Sequence, residues 1–201
     1  KSRGLGDVYK RQHQSVVDLK TGRNIFSNED GSASDLFFAH IGGLQRFLPF
    51  AMPLFAPNVN SFRRVIMRDL APINTQWGHD NRTAGLRVPI ARPEARRVEN
   101  RLGGADANPY LALAASLACG YIGMVRGLQP TEPVEGSAYE LPFSLPRNLE
   151  QAVGMLRGCE ELVDLLGDRF LQAYTAVKES EYDTFLQVIS SWEREHLLLN
   201  V

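Results

Sequence analysis

An α+β fold is predicted for this chain: an antiparallel sheet packed with helices and followed by a helical C-terminal part. Three observations predict it. Apolar residues recur at helical spacing through 36–48, short β-branched or alternating segments fill 73–102, and an Asn-Pro pair at 108–109 opens a long helical remainder. Helices and strands that come in separate runs, instead of alternating, belong to the α+β class.

The first element is the helix. In SASDLFFAHIGGLQRFLPFAMPL, Leu36, Phe37, His40, Ile41, Leu44 and Leu48 lie on one stripe, with Ser34 or Asp35 as cap. His40 on that stripe reads as a core histidine. Pro49, Pro53 and Pro57 end the helix, and PNVNSF reads as a loop. Then INTQW, LRVPI and RRVENRL, separated by GHDN and ARPEA, predict an antiparallel meander. Leu86, Val88 and Ile90 share one face and Arg87 the other, while Pro89 places that strand end at an edge or bulge. Asn108 caps the next helix with Pro109 in its first turn. A loop rich in Pro, Gly and Ser runs from Gln129 to Pro146. Asn148 opens a helix to about Leu156, and a final helix runs from near Arg169 to Leu198.

The 201 residues carry a formal net charge of −1, so no global field favours nucleic acid or an acidic membrane. The apolar stretch from Tyr110 to Val125 is short for a bilayer span, and no secretory signal opens the chain. Cys119 and Cys159 sit in apolar helical stretches without metal-ligand spacing, as reduced buried thiols of a cytoplasmic protein would. His196 reads as a surface residue.

The basic residues are unevenly chosen and unevenly placed. Arginine supplies 18 of the 22, and nine of them fall between Phe62 and Arg101 with four acids and no lysine. Arginine's planar fork grips carboxylate and phosphate at two points, whereas lysine is a mobile point charge. In RRVENRL, a strand turns Arg97, Glu99 and Arg101 to one face and Val98 and Leu102 to the other. So many cations in a core-forming region are costly unless they meet an anion, which points to a binding site. Glu99 fits there as an internal counter-charge or as a ligand of Mg²⁺ or Mn²⁺.

The strings NSFRR (60–64), APINTQWGHDNRTAGLRVP (71–89), RRVENRLGGADANPYLALAA (96–115) and HQS (13–15) closely resemble the C-terminal half of the glutamine synthetase catalytic domain. The resemblance runs from position 13 to 201, leaves 1–12 as an unmatched and non-native leader, and lacks the family's N-terminal β-grasp domain and early catalytic strands. It implies ATP-dependent ligation of glutamate to ammonia or an organic amine through γ-glutamyl phosphate, in a full-length protein that forms a ring-shaped homo-oligomer. By the same resemblance Arg64 and Arg101 hold glutamate, and Arg82 is the catalytic arginine that serves both glutamate and ATP. Arg87, His13 and Ser15 contact ATP, Arg97 supports the ATP side, and Glu99 is a metal ligand.

The chain departs from the family pattern at three positions. Arg11 stands where a metal-binding histidine is expected, and the family's other carboxylate ligands precede the matched region, so the isolated chain is expected to be inactive. Leu70, beside Asp69, stands where ammonia-using members carry a glutamate, which favours a γ-glutamylpolyamine (for example putrescine) synthetase. Glu94 replaces a lysine near the adenine side. The alternatives are a non-catalytic structural or regulatory member of the same family and an arginine-rich nucleic-acid module. The second predicts a basic domain with exposed stacking aromatics, which a net charge of −1 contradicts.

Overall fold

The computed structural model describes residues 12–66 and 71–198. Strand β1 (Gln12–Gln14) leads through a loop to α1 (Asp35–Phe47), the short α2 (Met52–Phe55) and α3 (Ser61–Ile66). Strands β2 (Trp77–His79), β3 (Leu86–Val88) and β4 (Val98–Asn100) follow. The remainder is helical: α4 (Pro109–Arg126), α5 (Leu149–Arg157), α6 (Glu160–Leu166), α7 (Asp168–Leu186) and α8 (Ser191–His196).

The helix starts obey their capping chemistry. Ser34 accepts from the Phe37 N–H and Asn148 from the Gln151 N–H. Asn108 takes the first orphan donors of α4, with Pro109 behind it where no N–H is needed. Helices α1 and α4 pack so closely that their backbones touch. A Cβ on Gly43 would fall 2.3 Å from the Cys119 carbonyl, and one on Gly123 would fall 2.2 Å from the Ala39 carbonyl. Only glycine permits that crossing. Leu86, Val88 and Val98 cover the same core from the sheet, beside Phe26, Phe37, Ile41, Leu44 and Leu102, all buried.

The four-stranded sheet has the order β1-β4-β3-β2. Antiparallel pairing joins β1 to β4 and β4 to β3, but β2 and β3 run parallel, with Trp77 opposite Leu86. That corrects the meander. The loop 80–85 does not close a hairpin because the Gln129–Pro146 segment holds it. Asn81 Nδ2 donates to the Val134 and Gly136 carbonyls, Thr83 Oγ1 accepts from the Ala138 N–H, and the Val134 N–H donates to the Trp77 carbonyl. The loop therefore carries the chain back beside its own start.

Other expectations also need correction. Residues 73–76 are not a strand; Asn74 instead donates to the Ala138 carbonyl, and the Ser144 N–H donates to the Ile73 carbonyl. Ser61 and Phe62 belong to α3, not to a loop. Strand β3 is interior and stops at Val88, so Pro89 lies beyond it and Ile90 is exposed, as is Leu36 on α1. The single C-terminal helix is two, because Ser190 and Glu193 form a reciprocal capping box that starts α8 afresh. An unforeseen α6 ends at Gly167, whose φ of 96° suits only glycine.

His40 is buried as expected, and burial lowers its pKa from 6.5 to about 4. His196 is exposed and stacks on Trp192. Both cysteines are free and buried, and burial pushes both thiols up, which leaves them unreactive. Among the described residues no helix is long and apolar enough to cross a membrane.

Candidate active site

Three short strands build one polar row. In antiparallel pairs, residues directly opposite each other share a face. His13 lies opposite Glu99 across β1–β4, and Arg87 lies opposite Glu99 across β4–β3. The row therefore reads His13, Glu99, Arg87, on the side of the sheet away from Val98 and Leu86. The alternation expected for RRVENRL holds: Val98 enters the core and Glu99 turns the other way.

Glu99 is fully buried, and two guanidiniums meet it. Arg87 Nη1 donates to Glu99 Oε2 at 2.6 Å, and Arg101 Nη1 lies 3.8 Å from Glu99 Oε1. The Arg101 side chain is only 3% exposed and that of Arg87 15%. A buried carboxylate between two arginines is tolerated because each charge offsets the desolvation of the other. Asp80 holds the remaining edge of Arg87, its Oδ1 accepting from Nε at 2.8 Å and also from Nη2. Burial alone would lower the Arg87 pKa, but the hydrogen bonds and charges of Glu99 and Asp80 outweigh it and raise the value.

The flanking residues complete the arrangement. Arg97 Nε donates to His13 Nδ1 at 3.2 Å, so that nitrogen of His13 serves as an acceptor. The Arg64 fork is aimed by carbonyls just after Arg101, at 2.9 Å to Leu102 and 3.4 Å to Gly103. Gly85, at the end of the 80–85 loop, accepts from the Arg101 N–H at 2.9 Å. Arg82 stands exposed on that loop, between Asp80 and Gly85, which are both tied to the row. Ser15 stands exposed one residue past β1. Among the described residues nothing ties the side chains of Arg82 or Ser15 to Glu99.

The structure thus joins Arg87 and Arg101 to Glu99 directly, sets His13 opposite Glu99 with Arg97 bonded to it, and ties in Arg64 through backbone. It separates off Arg96, whose guanidinium donates to the carbonyls of Phe26, Gly31 and Ser32 and holds the 26–32 loop. Asp80 was not foreseen. Its signal was the DN pair in a turn, but an antiparallel hairpin would not have put Asp80 beside Arg87. Arg68, Asp69 and Leu70, the last of which bears on ammonia against amine, lie outside the described residues.

Among the described residues no group of three or more His, Cys, Asp or Glu side chains could hold a metal ion. Glu99 is also engaged by arginine. Within the described residues Glu99 stands as a single carboxylate, paired with Arg87 and Arg101.

The middle of the row is thus one buried carboxylate, Glu99, flanked by the guanidiniums of Arg87 and Arg101 on the sheet of an α+β fold. Residues 11–197 match the glutamine synthetase catalytic domain, and the chain belongs to that family. It is 39% identical over 182 residues to γ-glutamylputrescine synthetase PuuA of Escherichia coli, covering 89% of this chain and 38% of that protein. It is 35% identical over 194 residues to type-1 glutamine synthetase 2 of Dictyostelium discoideum, covering 92% and 37%. Among solved structures, GmaS without ligand superposes with a TM-score of 0.81 at 30% identity, covering 94% of this chain and 44% of that one. The chain therefore spans well under half the length of these relatives.

Proposed function

We propose that the full-length protein joins the γ-carboxylate of glutamate to an amine at the expense of ATP. The observation that carries this reading is the convergence of Arg87 and Arg101 on buried Glu99, with Arg64 aimed from the adjoining carbonyls. In this reading Arg64 and Arg101 hold glutamate by its carboxylate. The γ-carboxylate oxygen attacks the terminal phosphorus of ATP; a new P–O bond forms and the bond to ADP breaks. The amine nitrogen then attacks the γ-carbonyl carbon, loses a proton, and phosphate leaves. Such transfers need position and positive charge around the moving oxygens, which Arg82 and Arg87 supply.

His13 and Ser15 belong to the ATP side, with Arg97 orienting His13. A cavity of about 710 Å³ lies between segment 17–31 and the turn at Pro93 and Glu94. Bound Mg²⁺ or Mn²⁺ would supply further charge neutralisation, with Glu99 contributing one ligand and the others coming from outside the described residues. That requirement leads us to expect no turnover from the isolated chain. The amine is favoured over ammonia by Leu70, which carries no charge to capture ammonium, and by the likeness to a putrescine-using relative. A ring-shaped homo-oligomer belongs to the same reading.

The test is glutamate-dependent phosphate release from ATP by the full-length protein, measured with ammonia and a panel of amines including putrescine. Higher kcat/KM with an amine is expected. A clear win for ammonia overturns the amine choice, and no glutamate-dependent release at all would favour the non-catalytic reading. Arg101→Lys and Arg64→Lys should raise KM for glutamate, because an ammonium cannot reproduce the two-point grip.

A further inference from the structure

Beneath the row of His13, Glu99 and Arg87 lies a second polar group that the proposed chemistry does not use. Alternate strand residues face opposite sides, so Gln14 and Asn100 point from β1 and β4 towards the helices. There His40 Nε2 lies 3.2 Å from Gln14 Oε1, Gln14 Nε2 donates to Ser116 Oγ, and Asn100 Nδ2 donates to the same oxygen at 3.0 Å. Asn100 Oδ1 also accepts from the Leu102 N–H at 3.0 Å. None of the four side chains belongs to a residue more than 5% exposed. They come from β1, α1, α4 and β4, so one network ties two helices to two strands.

The histidine at its head has no room to move. A Cβ on Gly120 would fall 2.1 Å from His40 Cε1, and the Phe26 ring centroid is 5.0 Å away on another side. With Gln14 Oε1 as acceptor, Nε2 of the neutral ring carries the proton.

Buried neutral polar groups add little net stability when bonded, but they discriminate strongly against arrangements that leave them unbonded. Strand β1 needs such discrimination. Among the described residues it spans three residues and pairs only with β4. Its inward residues are glutamines, so no apolar pattern sets its register. A slip of one residue would turn His13 into the core and Gln14 outward.

We propose that the His40–Gln14–Ser116–Asn100 network is a register lock that positions β1 on β4 and so holds His13 opposite Glu99. These four are positioning residues for the ligand face. The lock itself stands on geometry; its effect on nucleotide rests on the ATP-side role of His13 proposed above.

The test uses the full-length protein with the double variant Gln14→Met/His40→Phe. Both replacements keep approximate shape and leave Ser116 bonded to Asn100, so the melting midpoint should stay near that of the parent. Hydrogen exchange at residues 12–15 should accelerate several-fold, and the dissociation constant for ADP should rise towards that of His13→Ala. Gly120→Ala, which displaces His40 without touching either strand, should loosen residues 12–15 in the same way. Unchanged exchange at 12–15 in the double variant overturns the lock. So does an acceleration spread evenly over the chain with a lowered midpoint, because that marks a merely structural role. If His13→Ala leaves ADP affinity unchanged while 12–15 still loosens, the ATP-side assignment fails and the lock survives.

Discussion

The two faces of the sheet are built from neighbouring residues and follow opposite electrostatic rules. On one face Glu99 is buried between Arg87 and Arg101, with Asp80 behind Arg87. On the other, one residue along, Asn100 shares Ser116 with Gln14, and no member of that group carries a charge. Charges without partners cannot be buried, so the first face depends on balance; neutral groups need only hydrogen bonds, so the second depends on geometry. Under the proposed function the charged face exchanges its internal partners for substrate anions, whereas the proposed lock on the neutral face has nothing to exchange and holds the strands. A site that must rearrange thus rests on a support that must not.

Breaking the charged face should have the largest effect. Glu99→Ala removes the carboxylate that meets two mostly buried guanidiniums and should cost about 3–5 kcal/mol in denaturant unfolding. Glu99→Gln, which keeps the shape and one acceptor oxygen, should cost less. If both are neutral, the ion-pair account of this face is wrong.

The neutral face should show itself through pH. Above pH 6.5 the His40 ring is neutral whether the chain is folded or unfolded. As pH falls towards 4, the unfolded ring takes up a proton that the folded ring, with its pKa near 4, refuses; stability therefore drops with falling pH, by about 3 kcal/mol in all. Below that value both forms are protonated and His40 adds no further slope. His40→Phe should flatten the unfolding profile between pH 4 and 6.5, and an unchanged profile would remove His40 as its source.

Smaller effects sharpen the contrast between buried and exposed charge. The Asp80 side chain is 49% exposed, so Asp80→Asn should cost no more than about 1 kcal/mol of stability. It should nonetheless weaken nucleotide binding in the full-length protein, because Arg87 loses the carboxylate that fixes its second edge. The Arg23–Glu29 pair is exposed on both sides, and Arg23→Ala should change the unfolding free energy by about 0.5 kcal/mol or less.

Much of this was legible in the chain. Ser34, Asn108 and Asn148 announce their helices because a cap is a local interaction over two or three residues. The face of Glu99 follows from strand alternation alone. The capping box at Ser190 and Glu193 was equally local, and reading the C-terminus as one helix overlooked it. By contrast, the parallel pairing of β2 with β3 depends on Asn81 reaching Val134 and Gly136, more than fifty residues away. The Asp80–Arg87 clamp follows from that pairing.

By itself the sequence determined which groups could bind anions, where the helices begin, and that Glu99 and Val98 part to opposite faces, since each depends on neighbours along the chain. Only the tertiary structure decided that His13, Glu99 and Arg87 stand in one row, that Asp80 grips Arg87, and that His40 meets Gln14 and Ser116. Those contacts join residues far apart in sequence, and their register depends on packing that no local pattern encodes.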